Sequence, residues 1–472
     1  MYFERFYHTP LAQASYLVAC QSTGEAVVVD PARDIQQYLN AAEREGLHIV
    51  GSLETHIHAD FVSGARELYD TCNASIYVSG EGNDEFSTYT YDEGVSLMKE
   101  GDTVTIGNIE LKAMHTPGHT PEHLTFKLTD YSRSNQPMGM FTGDFLFVGD
   151  VGRPDLLEAS VGVAESAKEG AKQLFHSLER LKHEPGFVQV WPGHGAGSPC
   201  GKAMDAVPVS TLGYELVSNP ALQFEDQQSF SDFLLDSQPV PPPYFSVMKK
   251  VNRDGAQLIE ETKSAVSFKD DADHLAKLAD QDVQVLDARM PEPFSNGFAP
   301  GSINIPYVRI FTEWAGWMLD YERPIYVIAP EANIAGVVKE LRSIGLDQVA
   351  GTFNEQVLTN FESSERNLLT YTTVHAPDVA DEIQNGTLQP VDVRRSSEWE
   401  DGRVPGAVHE FLGDIDEWKS EHNEDEPLVL YCRTGKRSAI GASILRNEGF
   451  TNVRNMDGGF MAWKAKYDVE KD

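Results

Sequence analysis

The densest chemistry in the sequence lies in ETHIHADFVSG, residues 54–64, where His56, His58 and Asp60 take alternate positions. Imidazole and carboxylate groups at that spacing suit a loop that wraps a metal ion. Phe61, the next residue, cannot bind one. Further donors follow in order: His115 and His119 in HTPGHT, Asp144 in FTGDFLF, and His194 in WPGHG. A lone histidine usually satisfies a local hydrogen bond. An ordered set delivered by four segments, each ending a strand-like run, points to a metal site.

A second concentration of chemistry is VLYCRTGKRSAIGASIL. Cys432 follows an apolar strand and precedes a helix, with Arg433, Thr434, Gly435, Lys436 and Arg437 between them. Such a loop turns backbone N–H groups inward at the positive end of a helix dipole. Three cations add to that field. Both effects lower a thiol pKa and hold an anion, so Cys432 is a candidate nucleophile. Two further side chains lie near the metal segments. Arg153, in DVGRPDL, is placed to meet a substrate carboxylate or to make a structural salt bridge. Cys200, six residues after His194 in GHGAGSPCGKAM, is a sulfur-carrying thiol or a packed one. Cys20 and Cys72 have no such surroundings and read as structural.

The elements that must carry these groups are short strands and amphipathic helices. SYLVAC and EAVVVDPA read as neighbouring strands, and DIQQYLNAAEREGLHIVGSLETH as a helix, a Gly stop and a strand that delivers the His-rich loop. Prolines crowd DSQPVPPPYF, which predicts a stiff connector and a boundary after residue 240. Beyond it the chain repeats. VLDARMPEPFSNGFAPGSINIP, from Val285, overlays PVDVRRSSEWEDGRVPGAVHEF, from Pro390, without a gap. Asp287 falls on Asp392, Arg289 on Arg394 and Gly297 on Gly402. Each copy alternates apolar strands with helices, which predicts a parallel sheet covered on both faces. In the first copy Ala329 stands where the second has Cys432.

Composition sets outer bounds. A chain of 472 residues is too long for one core. The net charge of −35, from 38 Lys and Arg against 73 Asp and Glu, disfavours nucleic acid and anionic membrane as partners. Four dispersed cysteines without a C-x-x-C pair argue against a disulfide framework and fit a reducing cytoplasm. No signal peptide and no bilayer-length apolar run is evident.

The motifs T-H-x-H-A-D, T-P-G-H-T, F-T-G-D and P-G-H closely resemble the metallo-β-lactamase superfamily over about the first 240 residues. Hydrolases of that superfamily generally hold two zinc ions, and Phe61 replaces a ligand of the second. One branch that the sequence resembles, the persulfide dioxygenases, works with a single iron; a histidine is common there too at the place of Phe61, but it is not among the iron ligands. Their resemblance places Fe(II), one per chain, on His56, His119 and Asp144. It leaves His58, Asp60 and His194 to orient ligands and water, and makes His115 structural. The Cys432 segment, with VDVR, G..PGA.H and MDGGFMAWKA, resembles the rhodanese sulfurtransferases. Cys432 to Arg437 is C-x₄-R, one residue short of the phosphatase spacing.

The order therefore resembles persulfide dioxygenase–rhodanese fusions of the sulfide-detoxifying type. That implies an α/β multidomain chain: a metallo-β-lactamase αββα sandwich (1–240), an inactive rhodanese-like domain (248–367) and an active one (368–472) with parallel sheets. The implied activity is oxidation of a low-molecular-weight thiol persulfide by O₂ to sulfite. Cys432 would exchange sulfur between persulfide, sulfite and thiosulfate, with Arg433, Lys436 and Arg437 holding the anion. The resemblance also implies a homo-oligomer. The alternatives are a zinc-dependent thioester hydrolase resembling glyoxalase II, fused to a sulfurtransferase, and a non-enzymatic sulfur carrier or scaffold.

Overall fold

Strands Gln13–Ala19 and Glu25–Val29 are buried along almost their whole length. Alternation explains why. Leu17, Ala19, Ala26 and Val28 meet Tyr38, Ala41 and Ala42 of helix Gln36–Glu45. Their alternate neighbours, Tyr16, Val18, Val27 and Val29, meet Leu111, Phe126, Leu128 and Trp191 of a second sheet. The computed structural model describes residues 1–162, 165–236 and 238–471.

The first sheet has six strands in chain order, Tyr2–His8 to Val95–Met98. The second also has six, ordered Ser210–Thr211, Gln189–Pro192, Gly139–Gly143, Leu124–Asp130, Ile109–His115 and Thr103–Ile106. Helix Ser166–Leu181 covers its outer face, packing Ala171, Leu174 and Leu178 against Met140, Val188 and Val190. The layers are therefore helix, sheet, sheet, helix, as the motifs lead one to expect. This compact unit comprises Met1–Glu261 with Arg342–Gly345. It includes helix Tyr244–Asp254, which follows the proline run.

The second unit comprises Thr262–Leu341 with Leu346–Asp472 and holds two five-stranded sheets. One runs Val266–Lys269, Val349–Asn354, Ile325–Ala329, Gln284–Asp287, Ser302–Asn304. The other runs Thr372–His375, Val453–Asp457, Leu428–Tyr431, Gln389–Asp392, Val408–His409. Every pairing in both is parallel. The gapless overlay of the two copies is thus a shared topology. It reaches single bonds: Arg289 pairs with Asp287 and donates to the Gly297 carbonyl at 3.0 Å, and Arg394 pairs with Asp392 and donates to the Gly402 carbonyl at 2.7 Å. Among the described residues, no helix is long and apolar enough to cross a membrane.

Candidate metal centre and cysteine loop

Strand His48–Leu53 runs parallel to Glu25–Val29 and releases the chain into the loop carrying His56, His58 and Asp60. His119 comes from the loop after strand Ile109–His115, and Asp144 directly follows strand Gly139–Gly143. The three segments converge. One donor atom from each of His56, His119 and Asp144 lies within 4.8 Å of the others, and all three residues are buried. Asp144 Oδ2 is 3.9 Å from His56 Nε2 and 3.6 Å from His119 Nε2.

The hydrogen bonds behind these side chains aim them. His119 Nδ1–H donates to the Arg153 carbonyl at 2.9 Å, which leaves the Nε2 lone pair for a metal. Thr55 Oγ1 donates to Asp30 Oδ2 at 3.0 Å, so at 2.9 Å it accepts from His56 Nδ1–H, with the same consequence. Burial, then the neighbouring charges of His58, His119, His123 and Lys249, hold His56 well below the usual imidazole range. Burial also lowers His119, against the opposing pull of Asp144. Two neutral imidazoles and one carboxylate result. Asp144 Oδ2 is buried and has no hydrogen-bond partner. A buried carboxylate oxygen in that state is costly unless something cationic binds it. These residues therefore fit a metal ion.

The three other donors hold the surroundings. His194 Nδ1–H donates to Asp144 Oδ1 at 2.6 Å, and Nε2–H donates to Asp60 Oδ2 at 2.8 Å. Burial opposes a charge on His194, but Asp144 and Asp60 outweigh it and raise its pKa well above the ordinary value. Both ring nitrogens of His194 thus face carboxylates, and the imidazole bridges Asp60 and Asp144. His58 lies 3.1 Å from both Asp30 and Glu54. Burial would lower it, but these carboxylates push it up to about 10. His115 donates to the Pro121 carbonyl at 2.8 Å, a structural part. Phe61 packs its ring 4.4 Å from that of His58.

Arg153 takes the structural course. Its guanidinium is buried, bonds Asp155 at 2.9 and 2.6 Å and donates to the Pro199 carbonyl. Of the two roles its sequence leaves open, the Asp155 pair is the structural salt bridge, since a buried guanidinium needs a partner in the resting fold. Cys200 lies beside Asp60 and His194, with donor atoms within 4.8 Å of one another. Burial, then Asp144 and Asp60, push its thiol well above the usual range.

Three residues unmarked in the sequence complete this region. Asn252, on helix Tyr244–Asp254, donates to the His58 and Phe61 carbonyls at 2.8 and 2.7 Å and accepts from Ser63 N–H at 2.9 Å. Lys249, one turn earlier, is buried with Nζ 3.8 Å from Glu122 Oε1. Glu122 in turn accepts from Ile57 N–H at 3.0 Å. The apolar spacing of YFSVMKKVNRD was the available signal, hidden behind the proline connector.

In the last sheet, Cys432 follows strand Leu428–Tyr431, and helix Lys436–Asn447 begins four residues later. Gly435, at φ 88°, gives the turn a conformation that few other residues adopt. Its N–H donates to Cys432 Sγ at 3.2 Å, and Ser438 Oγ–H lies 3.6 Å from the same sulfur. Burial would raise this thiol, but the Arg437 charge and the Ser438 and Thr434 amides outweigh it and lower the pKa. The Arg437 fork is bound by Glu398 at 2.6 and 2.7 Å, while Lys436 stands 3.7 Å from Asp457 and Arg433 is exposed.

Comparison with known proteins agrees with this geometry. The family model described as the metallo-beta-lactamase superfamily matches residues 8–194, and that for the rhodanese-like domain matches residues 375–466. A metallo-beta-lactamase crystal structure from Staphylococcus aureus subsp. aureus COL is 41% identical, covers 75% of this chain and 99% of its own, and superposes with a TM-score of 0.67. A hydroxyacylglutathione hydrolase of Nitrosococcus oceani is 36% identical over 38% of this chain and 61% of its own length. The human mitochondrial persulfide dioxygenase ETHE1 is 29% identical over 44% of this chain and 70% of its own.

Proposed function

The chain belongs to the metallo-β-lactamase superfamily and carries a rhodanese-like domain behind that fold, and from this premise we propose a coupled sulfur chemistry. The first unit oxidises a low-molecular-weight thiol persulfide with O₂ and water to the thiol and sulfite. Cys432 exchanges sulfur between a persulfide, sulfite and thiosulfate. The carrying observation is the site's asymmetry: His56, His119 and Asp144 converge as a candidate metal triad, while His194 bridges Asp60 and Asp144 and Phe61, which offers no donor atom, packs against His58.

A His–His–carboxylate triad is the donor set of mononuclear Fe(II) oxygenases, and bound iron would supply the redox chemistry that zinc lacks. The chain's own residues supply the rest. The Arg153 carbonyl and Thr55 fix the two imidazoles by their Nδ1–H groups. His194 donates to Asp60 and to Asp144, and so fixes the carboxylate of the triad. At the far site, Gly435 N–H and Arg437 stabilise the Cys432 thiolate that accepts and returns sulfur.

A second reading has its own support. The match to a hydroxyacylglutathione hydrolase, and the cluster of Asp60, His194 and Cys200, favour zinc-dependent thioester hydrolysis. One pair of assays separates them. Protein loaded anaerobically with Fe(II) is supplied with glutathione persulfide or coenzyme A persulfide, and O₂ uptake and sulfite are measured. The zinc form is assayed on a thioester. Uptake with iron alone supports the dioxygenase. Thioester turnover without O₂ uptake overturns it.

A further inference from the structure

A cavity of about 420 Å³ opens over Cys432. The cysteine loop forms one side. The other side comes from the middle repeat, through the segment from Val308 to Trp314. The repeats are bonded to each other: Asn304 N–H donates to Ser443 Oγ at 3.0 Å, Asn447 Nδ2 donates to the Ser302 carbonyl at 2.8 Å, and Arg395 pairs with Glu313. The wall is thus held in place by the folded pair.

The middle repeat has no chemistry of its own at this position, because Ala329 replaces the nucleophile. The cavity suggests what it contributes. Sulfite and thiosulfate are small oxyanions and leave most of such a volume empty. Cavities of roughly 300–1,000 Å³ suit larger organic ligands. The lining also has a sign. Glu313 and Glu398 stand against five cations, the three on the cysteine loop together with Arg309 and Arg395. That excess lies in a chain of net charge −35. Val308, Ile310 and Trp314 add an apolar stretch on the middle-repeat side.

We propose that the middle repeat is the specificity wall of the Cys432 site, shaped for an organic thiol, or its persulfide, that carries an anionic group near Arg309. This rests on the sulfurtransferase reading of Cys432. The bound thiolate attacks the outer sulfur of the Cys432 persulfide. A new S–S bond forms to the thiol, the old one breaks, and its electron pair stays on the Cys432 thiolate. The reverse step loads Cys432 from an organic persulfide. Sulfite and thiosulfate need only the cysteine loop.

The test uses the full chain, with thiosulfate as sulfur donor and glutathione or coenzyme A as acceptor. Arg309 is exposed, so its replacement should leave folding intact. Arg309→Ala is expected to raise the KM for both thiols about three- to fivefold relative to that for thiosulfate. Arg309→Glu should widen that ratio, and Arg309→Lys should restore most of it. A ratio unchanged in the alanine and glutamate variants overturns the proposal. Absence of a Cys432 persulfide by mass spectrometry, in unaltered protein given thiosulfate, would instead overturn the sulfurtransferase reading beneath it.

Discussion

At the scale of single residues, the candidate metal ligands are defined as much by what stands behind them as by their identity. Asp144 offers one oxygen to His194 and keeps the other without a partner, facing His56 and His119. Asp144→Ala removes both the ligand and the counter-charge of His194. We expect it to lose bound metal and persulfide-dependent O₂ uptake together; full metal content in the purified variant would refute the ligand assignment. At Cys432 the balance is between burial, which disfavours the thiolate, and Arg437, which favours it. Removing the cation must therefore raise the thiol pKa. Arg437→Met is expected to move the pH midpoint of iodoacetamide alkylation upward, read by mass spectrometry across a pH series.

At the scale of elements, one loop and one helix hold the metal segments in register. The loop after strand His48–Leu53 carries its own ion-pair group, His58 between Asp30 and Glu54. Because the folded pKa of His58 is raised to about 10, its contribution to stability is complete below the ordinary imidazole value. That contribution is lost as pH climbs toward 10. The fall in thermal midpoint between pH 7 and 10 should therefore be smaller in His58→Gln than in the parent protein. Helix Tyr244–Asp254 closes the same loop through Asn252, whose amide serves two carbonyls and one N–H. Asn252→Ala leaves those groups unpaired in the interior, at a cost of about 1–3 kcal/mol for each that stays unsatisfied. Denaturant unfolding should register a loss of at least about 2 kcal/mol on that basis, with weaker metal retention.

At the scale of the whole chain, the two candidate sites sit in two compact units, each with its own core. Their independence is open to measurement. Cys432→Ser is expected to abolish sulfur transfer from thiosulfate while leaving most persulfide-dependent O₂ uptake, with sulfite replacing thiosulfate as the accumulating product. Loss of both activities in that variant would contradict a modular molecule.

Much of this was legible in the chain alone. Strand-end donors at His56, His119 and Asp144 follow from local spacing, since each sits in the loop just after a strand-like run. The repeat placed Ala329 opposite Cys432 before any sheet was seen, because identical period-two and helical patterns must build identical topology. Local pattern carries no information about which distant groups meet, and there the tertiary structure decided. It paired Arg153 with Asp155, bound Arg437 to Glu398, brought Asn252 to a loop nearly two hundred residues earlier and set Lys249 beside Glu122. It also set His194 between two carboxylates, a placement its motif does not reveal. Residue types and their order named the candidates for chemistry; long-range packing and charge determined which of them have lone pairs, protons and room to act.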